Sequence, residues 1–218
     1  EIEKSYLQAI VDYYGADVFS ADLPSDAALS AINDWVNEKT NGLIPKLHDE
    51  NYPADTVLVL LNSLYFKAKW AEPFLGGSTF DGTFTKADGT AVTVPFMHAA
   101  EGERDYISAS GTEGVLLPYD DGKTAFIALR PTDGGDIRAF AEGLTAEQIA
   151  ACIASAKRTA VNLSMPKFTV EYSQNLNAVL MDMGITSVFD PADADLSKMG
   201  TGAGAPLYIS RVFQKVKL

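Results

Sequence analysis

Thr56-Val57-Leu58-Val59-Leu60-Leu61-Asn62-Ser63-Leu64-Tyr65-Phe66 is apolar on both faces of an extended chain and lacks helical three- and four-residue spacing. Such a run predicts a central strand covered on both sides. Asn62 and Ser63 interrupt it, and a buried amide costs roughly 1–3 kcal/mol unless it is hydrogen-bonded. Asn62 therefore reads either as a structural amide tying down irregular sheet or as a polar lock between strands that must separate. The residues alone leave both readings open.

Upstream, Ser25 caps a helix with Leu29, Ile32, Trp35 and Val36 on one face, ended by Asn41-Gly42, and Trp35 reads as a core anchor. Val18–Leu23 reads as a short strand. Glu1–Tyr14 reads as a helix with Ile2, Tyr6, Ala9, Ile10 and Tyr13 on one face and Gly15 as its stop. Downstream, strands are expected at Thr79–Thr85 and Ala91–Met97, then at Val115–Tyr119 and Thr124–Arg130 around an Asp120-Asp121-Gly122 hairpin turn. Helical pattern returns at Ile137–Leu144 and, capped by Thr145, at Ala146–Ala156. Ala160–Tyr172 reads as a strand bent at Pro166, and Ser173 opens a helix through Met183, closed by Gly184. Leu207–Leu218 reads as a strand with Val212, Val216 and Leu218 on one face. No repeat recurs, and the irregular alternation of strands and helices predicts an α+β fold. The opening helix has no capping residue before it, and no turn residue follows Leu218, so the chain is expected to be incomplete at both ends.

The 218 residues carry 17 Lys and Arg against 29 Asp and Glu, a net charge of −12, with 47% apolar residues. The apolar share is enough for a core and excludes a disordered polymer. A single cysteine, Cys152, excludes a disulfide scaffold. The acidic balance repels polyphosphates, so neither a nucleic acid nor an anionic membrane is an expected partner. No run approaches the roughly 18 apolar residues of a membrane span, and no leader pattern is present.

Catalytic signatures are missing. His48 and His98 stand apart from plausible partners and read as loop or surface residues. There is no G-x-S-x-G elbow, H-E-x-x-H, C-x-x-C or EF-hand loop, so no catalytic residue, metal or cofactor is expected. Gly200-Thr201-Gly202-Ala203-Gly204-Ala205 lacks the spacing of a phosphate cradle and reads as a flexible linker. Cys152 reads as a small buried side chain. Asn162-Leu163-Ser164 fits a glycosylation acceptor but falls in an expected strand and reads as incidental.

Several segments together resemble the serpin family. Ile32-Asn33-Asp34-Trp35-Val36 with Lys39–Ile44 is similar to its F-helix signature. Leu61–Trp70 with Pro73-Phe74 is similar to the third strand of sheet A and the turn after it. Val94-Pro95-Phe96-Met97, Leu117-Pro118-Tyr119, Met165-Pro166-Lys167-Phe168, Met183-Gly184-Ile185 with Val188-Phe189, Ala194–Ser197 and Leu207–Ser210 follow in family order. The resemblance implies an α+β, serpin-like fold: a large mixed sheet A, further sheets B and C, and surrounding helices. Residues 1–218 would form part of a single domain without an internal boundary.

The resemblance also implies a function. Such a protein is a suicide substrate, not an enzyme: a target protease of the serine or cysteine class cuts a reactive loop, which inserts into sheet A. The receiving gap would lie between the strands near 56–66 and 207–218, with the loop and its specificity residue beyond Leu218. Net hydrogen bonds of roughly 0.5–1.5 kcal/mol each, with about 25 cal/mol per Å² buried, make insertion worth on the order of 10 kcal/mol. Asn62 matches the shutter asparagine, and Gln214 stands where the family has its histidine partner. Glutamine supplies an amide donor but does not titrate near neutral pH. Trp70 and Lys167 match breach residues, and Thr79 and Phe84 fall at gate and breach positions. A monomer completed by the missing C-terminal segment and acting outside the cell is expected. The alternative is a non-inhibitory carrier or chaperone of the same fold.

Overall fold

Local chemistry accounts for the ends of the helices in the computed structural model, which describes residues 1–202 and 205–218. In chain order the helices are α1 (Lys4–Tyr14), α2 (Asp26–Lys39), α3 (Ile137–Gly143), α4 (Ala146–Ala154) and α5 (Asn177–Asp182). The strands are β1 (Thr79–Thr85), β2 (Ala91–His98), β3 (Glu103–Ala109), β4 (Thr112–Pro118), β5 (Ala125–Pro131), β6 (Lys157–Ala160), β7 (Ser164–Pro166), β8 (Glu171–Asn175) and β9 (Phe213–Lys217). The Ser25 hydroxyl accepts from the Ala28 amide, and Thr145 with Gln148 forms a reciprocal capping box. Gly15 closes α1 in the left-handed region, at φ 61°. Glu3 at the start of α1 makes no side-chain cap, as its sequence leads one to expect.

The chain divides into two compact units, Glu1–Tyr65 with Thr169–Leu218, and Phe66–Phe168. In the first, β8 and β9 form an antiparallel ribbon with Glu171 opposite Lys217 and Gln174 opposite Gln214. The Lys217 ammonium lies 2.6 Å from the Glu171 carboxylate. Asn177 ties the start of α5 to the approach to β9: its Oδ1 accepts from Val212 N at 2.8 Å and its Nδ2 donates to Ser210 O at 3.0 Å. Buried Asn33 on α2 does the same for the segment after that helix. Its Oδ1 accepts from Leu47 N at 2.8 Å and its Nδ2 donates to His48 O at 3.0 Å.

The second unit holds two antiparallel sheets, β1-β2-β7 and β5-β4-β3-β6. Two tight turns order the larger one. Ser110 and Gly111, both at positive φ, join β3 to β4, the conformation of a two-residue hairpin. The Asp121 carboxylate accepts from the Lys123 and Thr124 amides and the Thr124 hydroxyl, closing the turn from β4 to β5. Ile107 is fully buried, with Val115, Leu117 and Cys152 buried around the same sheet and the α4 helix. Cys152 is thus the small buried side chain expected.

Several expected elements differ. Thr56–Phe66 is extended but makes no ladder with a neighbour among the described residues. Leu60 (61% exposed) and Leu64 (89% exposed) face solvent, so one face is open where two covered faces are expected. Val18–Leu23 likewise has no ladder among the described residues, and of Leu207–Leu218 only Phe213–Lys217 forms a strand, with Leu218 exchanging both backbone bonds with Val170. Ala160–Tyr172 is split among β6, β7 and β8. Helix α5 starts at Asn177 rather than Ser173, because pairing with β9 holds residues 171–175 extended, a tertiary contact overriding local pattern. β3 has no counterpart among the expected strands, since its Glu103-Arg104-Asp105 start masks the alternation. Trp35 is half-buried, with the Lys39 ammonium 5.8 Å from its ring centre, and Ala28, Asn33 and Val36 form the buried side of α2 instead. Tyr13 is exposed. Asn162 is exposed and lies outside any strand. The linker reading of Gly200–Ala205 falls partly on residues 203–204, outside the described residues.

Candidate functional site

The extended segment that follows Tyr65 is fastened to the β4–β5 hairpin. Ala71 N donates to Pro118 O at 2.9 Å, and Asp120 N donates to Lys69 O at 2.9 Å. Between these bonds the Trp70 indole stacks on Tyr119, ring centres 4.8 Å apart and planes 14° from parallel. Phe74 and Phe126 meet Trp70 edge-on at 6.0 and 5.9 Å, and Phe66 meets Tyr119 edge-on at 5.1 Å. Trp70 is therefore the hub of a packed aromatic cluster, with offset and edge contacts of the favourable kind.

Directly after it, Glu72 takes two arginines. Arg104 Nη1 lies 2.8 Å from one carboxylate oxygen and Arg158 Nη1 3.2 Å from the other. Arg104 is buried, and its guanidinium also donates to Ala100 O and Glu103 O. Tyr119 belongs to the Leu117-Pro118-Tyr119 segment of the family resemblance, whereas Glu72, Arg104 and Arg158 are absent from the residues singled out by motif. Only the local order Trp70-Ala71-Glu72 hints at them, because pairing across 32 and 86 residues leaves no spacing signal.

Lys167 is exposed, and its backbone amide donates to Pro95 O at 2.8 Å, next to the β2–β7 pairing. Thr79 and Phe84 stand near opposite ends of β1, opposite Met97 and Val92. No side-chain hydrogen bond, aromatic pair or cation–π pair joins Trp70, Lys167, Thr79 or Phe84 to one another among the described residues.

Asn62 and Gln214 both belong to the first unit. Asn62 is exposed on the open face of its segment, and Gln214 faces Gln174 in the β8–β9 ribbon. No hydrogen bond joins them among the described residues. Among the described residues β9 carries β8 on one side only, so its other edge presents backbone groups without a strand partner there. Lys215, on the opposite face from Gln214, donates to Lys46 O at 2.7 Å.

Of the two histidines, His48 Nε2 lies 2.7 Å from the Tyr52 hydroxyl in a T-shaped pair, and burial pushes the Tyr52 phenol up from its ordinary pKa. His98 closes β2 beside Phe80. Among the described residues no group of three or more His, Cys, Asp or Glu is placed to hold a metal ion. No helix among them is long and apolar enough to cross a membrane.

The family model described as Serpin (serine protease inhibitor) matches residues 1–218. The chain belongs to the serpin family. Serpin B12 of Homo sapiens is 32% identical over 97% of this chain and 54% of its own length. Plasminogen activator inhibitor 1 of Neovison vison is 34% identical over 86% of this chain and 48% of its own length. The thermophilic serpin tengpin in its native state superposes with TM-score 0.86 at 32% identity, covering 100% of this chain and 55% of that one. This serpin chain thus spans about half the length of the curated relatives it matches. The α+β, serpin-like fold class read from the sequence holds.

Proposed function

We propose that the full-length protein is a serpin-type protease inhibitor. It acts as a suicide substrate that traps a serine or cysteine protease by inserting its reactive loop between the strands near 56–66 and 207–218. The observation that carries this reading is the state of those two segments. Among the described residues Thr56–Phe66 is extended without a ladder and β9 has a strand partner on one edge only, so both can accept a further strand. Asn62 and Gln214 serve as the shutter, Trp70 and Lys167 as the breach, and Thr79 and Phe84 as gate and breach residues. The domain is single, monomeric and works outside the cell, with the protease as its partner. A relative 34% identical that is named as an inhibitor supports the inhibitory reading.

The test is to incubate the full-length protein with a panel of serine and cysteine proteases and to run the products on denaturing gels. A protease-sized upward shift that survives SDS supports trapping. If every protease cleaves the protein and dissociates, the carrier or chaperone reading replaces inhibition.

A further inference from the structure

We infer that Arg104 is a positioning residue for the Trp70 turn, acting through Glu72 as a charge latch. Lys69–Glu72 is gripped from two sides. On one side the hairpin holds the backbone at Lys69 and Ala71. On the other, Glu72 is the only carboxylate within 4 Å of Arg104 among the described residues. The Arg104 side chain is 10% exposed, whereas Glu72 and Arg158 are 47% and 51% exposed. That asymmetry decides which bridge matters. A buried guanidinium stripped of its carboxylate is left uncompensated, while an exposed pair is screened and weak. The cleft that Trp70, Glu72, Phe74 and Arg104 help to line holds about 20 Å³, roughly one water, so little solvent separates the turn from the buried guanidinium. Asp105 lines the same space, and Glu101 and Glu103 line the groove beside it, so no second cation stands ready to replace Arg104 on Glu72 except Arg158.

The role in loop insertion rests on the inhibitory reading, since opening at Trp70 is taken as a step in admitting the new strand; the latch itself does not depend on it. Hydrogen exchange on the full-length protein reads the latch directly, at the Ala71 and Asp120 amides. E72Q and R104Q are expected to raise exchange there by about tenfold while amides of β1 and β2 stay unchanged. R158Q is expected to change it less than about threefold. R104K, which keeps charge but loses the fork, falls between, and covers the case in which R104Q does not fold. The double variant E72Q/R104Q should exchange no faster than the faster single variant, and E72R/R104E should recover part of the protection. Unchanged exchange at Ala71 and Asp120 in E72Q overturns the latch. So does an equal rise throughout β1 and β2, or full additivity in the double variant. Protease trapping by the same variants is then timed: faster exchange with unaltered trapping keeps the latch and removes loop insertion from its role.

Discussion

Replacing Tyr119 by leucine removes the ring on which Trp70 stacks while keeping apolar bulk. Two aromatic contacts are lost, the parallel pair with Trp70 at 4.8 Å and the edge contact with Phe66 at 5.1 Å. At about 0.5–1.5 kcal/mol each beyond area burial, the loss is about 1–3 kcal/mol. For a full-length protein about twice this size, with an unfolding entropy of about 2.1 cal/mol/K per residue, that lowers the melting temperature by roughly 2–3 °C in mid-range. The Tyr119 hydroxyl has no hydrogen-bond partner among the described residues, so Y119F should lie within about 0.5 kcal/mol of the parent. The assay is denaturant and thermal unfolding of the full-length protein in a W35F background, where Trp70 is the remaining tryptophan of this region. Y119L should broaden and red-shift Trp70 emission before global unfolding begins. The reasoning is refuted if Y119F costs as much as Y119L, because the hydroxyl and not the stack would then be responsible. It is equally refuted if Y119L leaves Trp70 emission and stability unaltered.

N33A should cost about 2–3 kcal/mol in urea unfolding, because it orphans the Leu47 amide and the His48 carbonyl together. G82A puts a methyl carbon 2.7 Å from the Phe96 ring; an expected loss of about 1–3 kcal/mol is read from the same unfolding curves. The hydrogen bond from Lys217, with its charge, holds the Glu171 carboxyl below its ordinary pKa, so its contribution is present above about pH 4.5 and fades as pH falls through the lowered folded value. E171Q should therefore melt lower than the parent at pH 7 and match it near pH 2–3, with the difference shrinking in high salt. Sheet opening, followed without protease as the rate at which the full-length protein takes up a synthetic loop peptide, should show no step centred near pH 6.5 between about pH 5 and 7.5, and Q214H should introduce one.

What was legible in the sequence is what is local. Ser25, Thr145 and Gly15 mark helix ends because a cap or a left-handed residue acts within a few positions, and Asp121 marks its hairpin for the same reason. Strand β1 matches its expected bounds because Gly- and Thr-rich alternation pairs with a neighbour only a few residues away. Strand β3 was missed because its polar start hides the period, and only the Ser110-Gly111 turn betrays it. Of the candidate site, Trp70 carries a family pattern and is found. Arg104 and Arg158 carry none, because a salt bridge spanning the whole second unit has no periodicity to read.

The run that decides the fold also shows where sequence outruns structure. Thr56–Phe66 is written for burial on both faces, yet Leu60, Leu64 and Phe66 stand open on the face that carries Asn62. The same holds for the β8–β9 ribbon, where Tyr172 and Val216 are exposed on the face that carries Gln214. Exposed apolar residues on both of these strands form the kind of surface that marks an interaction site, not an ordinary solvent face. The relatives are nearly twice as long, and the amides proposed as the shutter sit on the two faces still uncovered. The apolar pattern of these two strands is therefore only half covered among the described residues. Covering the open faces would take Asn62 and Gln214 out of water, and an amide so buried must find a hydrogen bond. In the proposed inhibitor that requirement would make the two residues a lock, bonded while the strands are covered and parted when a new strand enters between them.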